Sequence, residues 1–253
     1  MRFKKQILTI LILALLVACA ASVSAKTGDG AKKDCFKSLV FPSIMKNPPT
    51  PWNPHPVAPE IDGTAFVHPE ASVIGAVKIG AYVMVSPFAS VRGDEGMPIF
   101  IGANSNVQDG VVVHGLETID EELEPVTKNI VNVNGENYTV YIGKNVSLAH
   151  QAQVHGPAIV GDDTFIGMQA FVFKSTVGKD CVLEPKSAAI GVTIADGKYI
   201  PAGVVITKQA DADALKNIAD EPNYAYKTTN EAVVYVNTNL AKGYNKAAGS
   251  KFY

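Results

Sequence analysis

The chain has 253 residues and a formal net charge of −2, with 47% apolar and 18% charged residues. That is ample material for a buried core and excludes a disordered chain, while the near-neutral balance excludes the basic face of an electrostatic nucleic-acid binder. Three cysteines are too few for a disulfide framework.

At the N-terminus Arg2, Lys4 and Lys5 precede an apolar run from Ile7 to Ala18, and small residues follow. The run is short for a bilayer span and has the layout of a secretory signal. Val23-Ser24-Ala25 offers a cleavage site, which makes residues 1–25 a signal peptide. Leu16-Val17-Ala18-Cys19 also resembles a lipobox, which would put a lipid on Cys19. Both exits stay open, with a true membrane anchor as the bland alternative. The expectation is export to the outside or the cell surface, with membrane contact only through a lipid anchor. Cys35 and Cys181 are expected as free thiols. Six prolines between Pro48 and Pro59 make residues 26–59 an extended arm.

The body of the chain repeats every six residues. An aliphatic residue recurs at Ile61, Val67, Val73, Ile79, Val85 and Val91. After an interruption at Met97 to Phe100 the count resumes at Ile101, Val107 and Val113. A longer insertion, about 116–141, precedes Ile142, Leu148, Val154, Val160, Ile166 and Val172. Two one-residue slips then lead through Val177 and Leu183 to Ile194, Ile200 and Ile206. A period of six is neither helical nor the alternation of an open sheet. It predicts a mainly β fold over 60–207: a triangular prism whose short strands stack coil on coil with the aliphatic side chains on the axis. This is the hexapeptide pattern of a parallel β-helix, a fold class wound left-handed against the usual crossover preference.

Residues 208–253 read as a helical segment. A short helix fits 209–218, and Thr228-Thr229-Asn230-Glu231 has capping-box spacing. Val233, Val236, Leu240 and Tyr244 follow at helical intervals, with Gly243 as a stop, so this helix is expected to lay that face along the prism.

Register also places the histidines. The hexads at Val113 and Val154 fall on one wall, one coil apart, so His114 and His155 stack about 4.8 Å apart at the backbone, the spacing of neighbouring strands. His150 belongs to the preceding side. Five extended residues span up to about 17 Å, so His150 does not easily reach an ion held by the other two in the same chain. A neighbouring prism could present its own His150, and three prisms around a threefold axis would close the set. The bland alternative is three surface histidines with no shared task. Glu95 and Glu117 occupy slots otherwise filled by small core residues, which is costly for a carboxylate unless it is paired or turned outward. Near three histidines they read as proton-handling groups. Arg92 and Asp94 lie in the same segment and fit an interface ion pair equally well. Gln108 lies one side before His114.

Arg92-Gly93-Asp94-Glu95-Gly96-Met97-Pro98, Ser105-Asn106-Val107-Gln108-Asp109-Gly110 and, above all, Ser147-Leu148-Ala149-His150-Gln151-Ala152-Gln153-Val154-His155-Gly156-Pro157 resemble the gamma-class carbonic anhydrases. The resemblance runs from about Pro48 to Gly243. It implies reversible hydration of carbon dioxide to bicarbonate in a homotrimer with a metal at each interface, bound by His114 and His155 of one subunit and His150 of the next. The implied metal is zinc or ferrous iron, with cobalt as a substitute. It also implies that Gln108 hydrogen-bonds the hydroxide on the metal with Glu95 beside it, and that Glu117 passes the proton to buffer. Asn106 would support Gln108, Arg92 and Asp94 would pair across the subunit boundary, and Asn237 would help orient carbon dioxide. Two other classes share the repeat: a metal-free acyltransferase using one histidine as base, and a non-catalytic scaffold. Metal content separates the first, and the intact histidines and glutamates weigh against the second.

Overall fold

The structure, a computed structural model, describes residues 43–249. The leader, Cys19 and Cys35 lie outside the described residues. Each aliphatic residue of the hexad sits on a strand of two to four residues, too short to form a sheet alone. The strands are stabilised by pairing in parallel with the coil above and the coil below. Among the described residues this builds three parallel walls, one of eight strands and two of seven.

Register turns the repeat into a core. On the first wall Val73, Val91, Val113, Val154, Val172, Ala189 and Ile206 pair rung to rung. All seven are buried. The second wall stacks Ile79, Ile101, Ile142, Val160, Val177 and Ile194 in the same way. The third stacks Val85, Val107, Leu148, Ile166, Leu183 and Ile200. Each valine, leucine or isoleucine in these stacks contributes roughly 1.5–3 kcal/mol of apolar burial.

The corners have their own column of residues. Tyr82, Asn104, Asn145, Asp163 and Asp180 succeed one another at one corner with φ between 52° and 61°. Phe88, Gly110, Gln151, Gln169, Lys186 and Gly203 do so at another, with φ between 60° and 72°. In these two columns one left-handed residue per turn takes the chain sharply from wall to wall, a conformation that costs most residues energy and that neighbouring rungs must hold in place.

The ends are closed by added pieces. Ile44–Met45, inside the predicted arm, pairs with Ser72–Gly75 and covers the open edge of the first wall. The short helix α1, Gln209–Asp213, buries Ala212 against the last coil. Helix α2, Thr229–Gly249, runs along the third wall. It passes the predicted stop at Gly243, whose surroundings are open. Two of the four predicted apolar residues meet the prism, Val233 against the cluster of Ala149, Phe165 and Val182 and Tyr244 stacked on Phe66 at 4.8 Å, but the centre of the buried face lies elsewhere. Asn237 and Ala241 are buried, whereas Val236 is 51% and Leu240 43% exposed. Polar anchoring sets that rotation: Asn230 Nδ2 donates to Asn145 O at 2.7 Å, and Asn245 Nδ2 to Thr64 O at 2.9 Å. No helix among the described residues is long and apolar enough to cross a membrane.

The two interruptions fall on the same corner of successive coils. Because Ile99–Ile101 pairs with Val77–Ile79, the extra residues are Asp94–Pro98 and not Met97–Phe100. Likewise Val140–Ile142 is a rung of the second wall, so the insertion ends before it. Its outer part is an antiparallel hairpin of Val131–Val133 and Glu136–Tyr138.

Candidate metal centre

The first wall carries one half of the candidate site. Arg92, His114, His155 and Phe173 occupy the same position on four successive rungs. The two imidazoles stand edge to face with centroids 5.3 Å apart, and Phe173 lies 5.4 Å beyond His155. His155 Nδ1 lies 3.2 Å from the Gly156 carbonyl; with that nitrogen donating, Nε2 keeps its lone pair for a ligand. Burial holds the His155 pKa below the usual imidazole range, and the neighbouring His114 adds to this. This shift favours the neutral ring, the form that binds a metal, against the opposing hydrogen bond to the Gly156 carbonyl.

At the corner next to His114 the chain makes its five-residue excursion, Asp94–Pro98 opposite the single Ala76, and delivers two carboxylates. His114 Nε2 lies 3.0 Å from Asp94 Oδ1 and 3.8 Å from Glu95 Oε1. Arg92 Nη1 meets Asp94 Oδ2 at 2.9 Å. With only Gly93 between them, the two side chains meet within one chain. Burial raises the Asp94 carboxyl, but the bond to His114 and the charge of Arg92 outweigh it and leave the pKa below normal. Glu95 goes the other way. Burial raises it, Asp94 and Glu117 add to that, and His114 only partly opposes.

Glu95 and Glu117 are not in the core. Both positions open onto insertions, so both carboxylates turn outward, Glu95 partly covered and Glu117 exposed. They line a cavity of about 330 Å³ together with Trp52, Ile119, Asp120 and Glu121.

The other half lies at the next corner. His150 follows the third-wall strand Ser147–Leu148, two residues past the core leucine, and its Nδ1 lies 3.0 Å from Asp109 Oδ2. Asp109 holds the equivalent place one rung earlier, two residues past Val107. The same corner opens on a cavity of about 410 Å³ lined by Gln108, Asp109, His150, Val236, Asn237 and Leu240 among others. Behind its Gln108 wall the amides are oriented in series. Asn106 Nδ2 donates to Ser147 Oγ at 2.9 Å, and Gln108 Nε2 donates to Asn106 Oδ1 at 2.9 Å. The Gln108 carbonyl oxygen is thereby left as the free end of the chain. Asn237 Nδ2 is similarly engaged by the Val233 carbonyl at 3.0 Å.

The expected site residues are thus brought together in two groups, not one. Among the described residues, the only set of three or more acidic, histidine or cysteine side chains with ligating atoms within 4.8 Å of one another is Asp94, Glu95 and His114. His150 does not join His114 and His155 within a chain. Each of the three rings nevertheless has one nitrogen engaged by an oxygen of this chain (Asp94, Asp109 or Gly156) and the other available. That is how protein metal sites fix their imidazoles, and such a donor set fits a divalent ion. Sequence reasoning passed over Asp109 and Trp52. The hexad register did point to Asp109, since it stacks under His150, whereas Trp52 lies in the aperiodic arm.

No family model matches the chain. It is 64% identical over 251 residues to the carbonic anhydrase of Methanosarcina thermophila, covering 98% of this chain and 100% of that protein. It is 40% identical over 205 residues to the carboxysome assembly protein CcmM of a Nostoc species, covering 81% of this chain but 34% of that protein. A hexapeptide transferase family protein from Anaplasma phagocytophilum superposes with a TM-score of 0.53 at 23% identity, over 74% of this chain and 93% of that one. This last likeness concerns the fold alone, the left-handed β-helix that transferases share. From the near full-length identity and the motif residues standing in their places, the chain belongs to the gamma-class carbonic anhydrases.

Proposed function

We propose that carbon dioxide hydration, the reaction of this family, takes place here at the boundary between two copies of the chain. The observation that carries this is the division of the site: proton-handling carboxylates and two imidazoles on one wall, the third imidazole and the orienting amides at a separate corner. A homotrimer places the wall of each copy against the corner of the next and closes three equivalent sites with no unmatched half. His114, His155 and the neighbouring copy's His150 would hold the ion. Three neutral nitrogens suit zinc or ferrous iron, with cobalt as a substitute. Such an ion, for which carbonic anhydrase is the reference case, lowers the pKa of water to about 7 and so supplies the nucleophile at neutral pH.

The residues of the chain supply the rest. Gln108 presents its carbonyl oxygen to the cavity and accepts a hydrogen bond from the attacking group, which aims the lone pair at carbon. Asn106 and Ser147 keep that amide from turning over. Asn237, Val236 and Leu240 offer a mixed polar and apolar wall for a small uncharged substrate. Glu95, its carboxyl raised by burial, takes the proton released near His114, and exposed Glu117 hands it to buffer. The proposal extends to location: the leader directs export, and the mature N-terminus is either Lys26 or a lipidated Cys19, which intact mass distinguishes.

The test combines metal analysis with kinetics. Anaerobically purified protein is expected to hold one divalent ion per chain and to hydrate carbon dioxide. Glu117→Ala should lower kcat by roughly 10²-fold in weak buffer, with imidazole restoring it. Equal buffer dependence in variant and parent would remove Glu117 from the relay.

A further inference from the structure

The relay needs Glu95 and Glu117 at a fixed separation, yet both sit on excursions from the prism, where wall pairing no longer holds the backbone. The polar groups of Thr118 bridge those excursions. Its side chain is completely buried. Its Oγ1 donates to the Glu95 carbonyl at 2.8 Å and accepts from the Met97 N–H. Its own N–H donates to the same Glu95 carbonyl at 2.8 Å, and its carbonyl accepts from Val126 N at 2.8 Å. Every hydrogen-bonding group of Thr118 is engaged, and three of these bonds cross from one loop to the other.

Neighbouring residues are shaped to this contact. Gly96 has φ +104°, and a Cβ there would run into Thr118 Oγ1 and Ile119. On the far side buried Asn129 donates through Nδ2 to the Glu117 carbonyl at 2.7 Å. The backbone carbonyls of both glutamates are thus gripped from within the fold while their carboxylates face the Trp52 cavity.

We propose that Thr118 is a positioning residue of the proton relay: its hydroxyl ties the Glu95 loop to the Glu117 loop and sets the carboxylate pair at working distance. This rests on the relay reading given above. Thr118 touches neither substrate nor ion and acts only through the two glutamates, so its loss should slow proton release and spare the hydration step.

The test compares Thr118→Val, which keeps the shape and removes the hydroxyl, with Thr118→Ser, which keeps the hydroxyl. In the metal-loaded enzyme Thr118→Val should lower kcat about tenfold, as a small misplacement does, while kcat/KM stays within about twofold and imidazole buffer recovers the loss. Thr118→Ser should behave as the parent. Trp52 is the sole tryptophan and reports on the same cavity without turnover: acrylamide should quench it more readily in Thr118→Val and as in the parent in Thr118→Ser. An unchanged kcat in Thr118→Val overturns the proposal. So does a parallel fall of kcat and kcat/KM, or a serine variant as slow as the valine one, since either marks a packing role. If Thr118→Val does not fold, Thr118→Ala takes its place, and a parent-like kcat there is equally fatal. Glu117→Ala run alongside separates the two levels. If it shows the imidazole-recoverable loss and Thr118→Val does not, only the positioning role falls; if it shows none, the relay falls and the positioning role with it.

Discussion

Asp109 shows how much a single carboxylate can decide. Lying 3.0 Å from His150 Nδ1, it fixes which ring nitrogen is free to bind and which way the ring faces. Asp109→Asn should weaken metal retention by roughly tenfold in competition with a chelator and leave the far-ultraviolet spectrum unchanged; parent-like retention would show that His150 needs no such partner. Cys181 is the opposite kind of residue, buried in the core and unpaired, as its slot in the repeat predicts. Burial pushes its thiol pKa up to about 11. The folded state therefore favours the neutral thiol, and the unfolded chain ionises first as pH rises. The linked stability is intact below about pH 8.5 and falls as pH climbs toward the folded value, by up to about 1.4 kcal/mol per pH unit. Melting midpoints between pH 8 and 11 should drop more steeply in the parent than in Cys181→Ala. Matching slopes would contradict this.

At the level of elements, the prism was legible because its signal is redundant. Every coil repeats the same aliphatic slot, and the register read along the chain is the register of the paired rungs, His114 against His155 included. The rotation of α2 was not legible. Val233 and Tyr244 of the periodic stripe do meet the prism, but Asn230 and Asn245, bonded to the carbonyls of Asn145 and Thr64, accompany a face that buries Asn237 and Ala241 in place of Val236 and Leu240, and such long-range bonds leave no periodic trace. At the excursions of Asp94–Pro98 and after Gly115 the slot count flagged Glu95 and Glu117 but put them in core positions, because it assumes the coil continues, and there it does not. The corners were also silent, since they accept tyrosine, phenylalanine, glutamine and lysine in a left-handed conformation that composition alone does not announce. Lys186, exposed and at φ +62°, offers a clean check. Lys186→Val should destabilise the fold by about 1–2 kcal/mol, whereas Lys186→Asn should not, because asparagine tolerates this region. Equal melting curves for the two variants would mean that the corner relaxes to accept a β-branched residue.

For the whole molecule, the proposed function makes one chain the carrier of two incomplete sites. The wall of His114 and His155 has carboxylates and no third imidazole; the corner of His150 has orienting amides and no partner rings. The exposed apolar residues Val236 and Leu240 beside His150, together with Phe173 beside His155, leave both halves suited to being covered by protein. The most direct measurement of this sharing mixes two defective chains. His150→Ala keeps the wall and loses the corner, and His155→Ala keeps the corner and loses the wall. Each variant alone should hold little metal and show little hydration activity. Refolded together in equal amounts into trimers, the two should regain both, to about a quarter of the parental level, since one boundary in four then pairs an intact wall with an intact corner. A mixture as inactive as either variant alone would contradict the shared site.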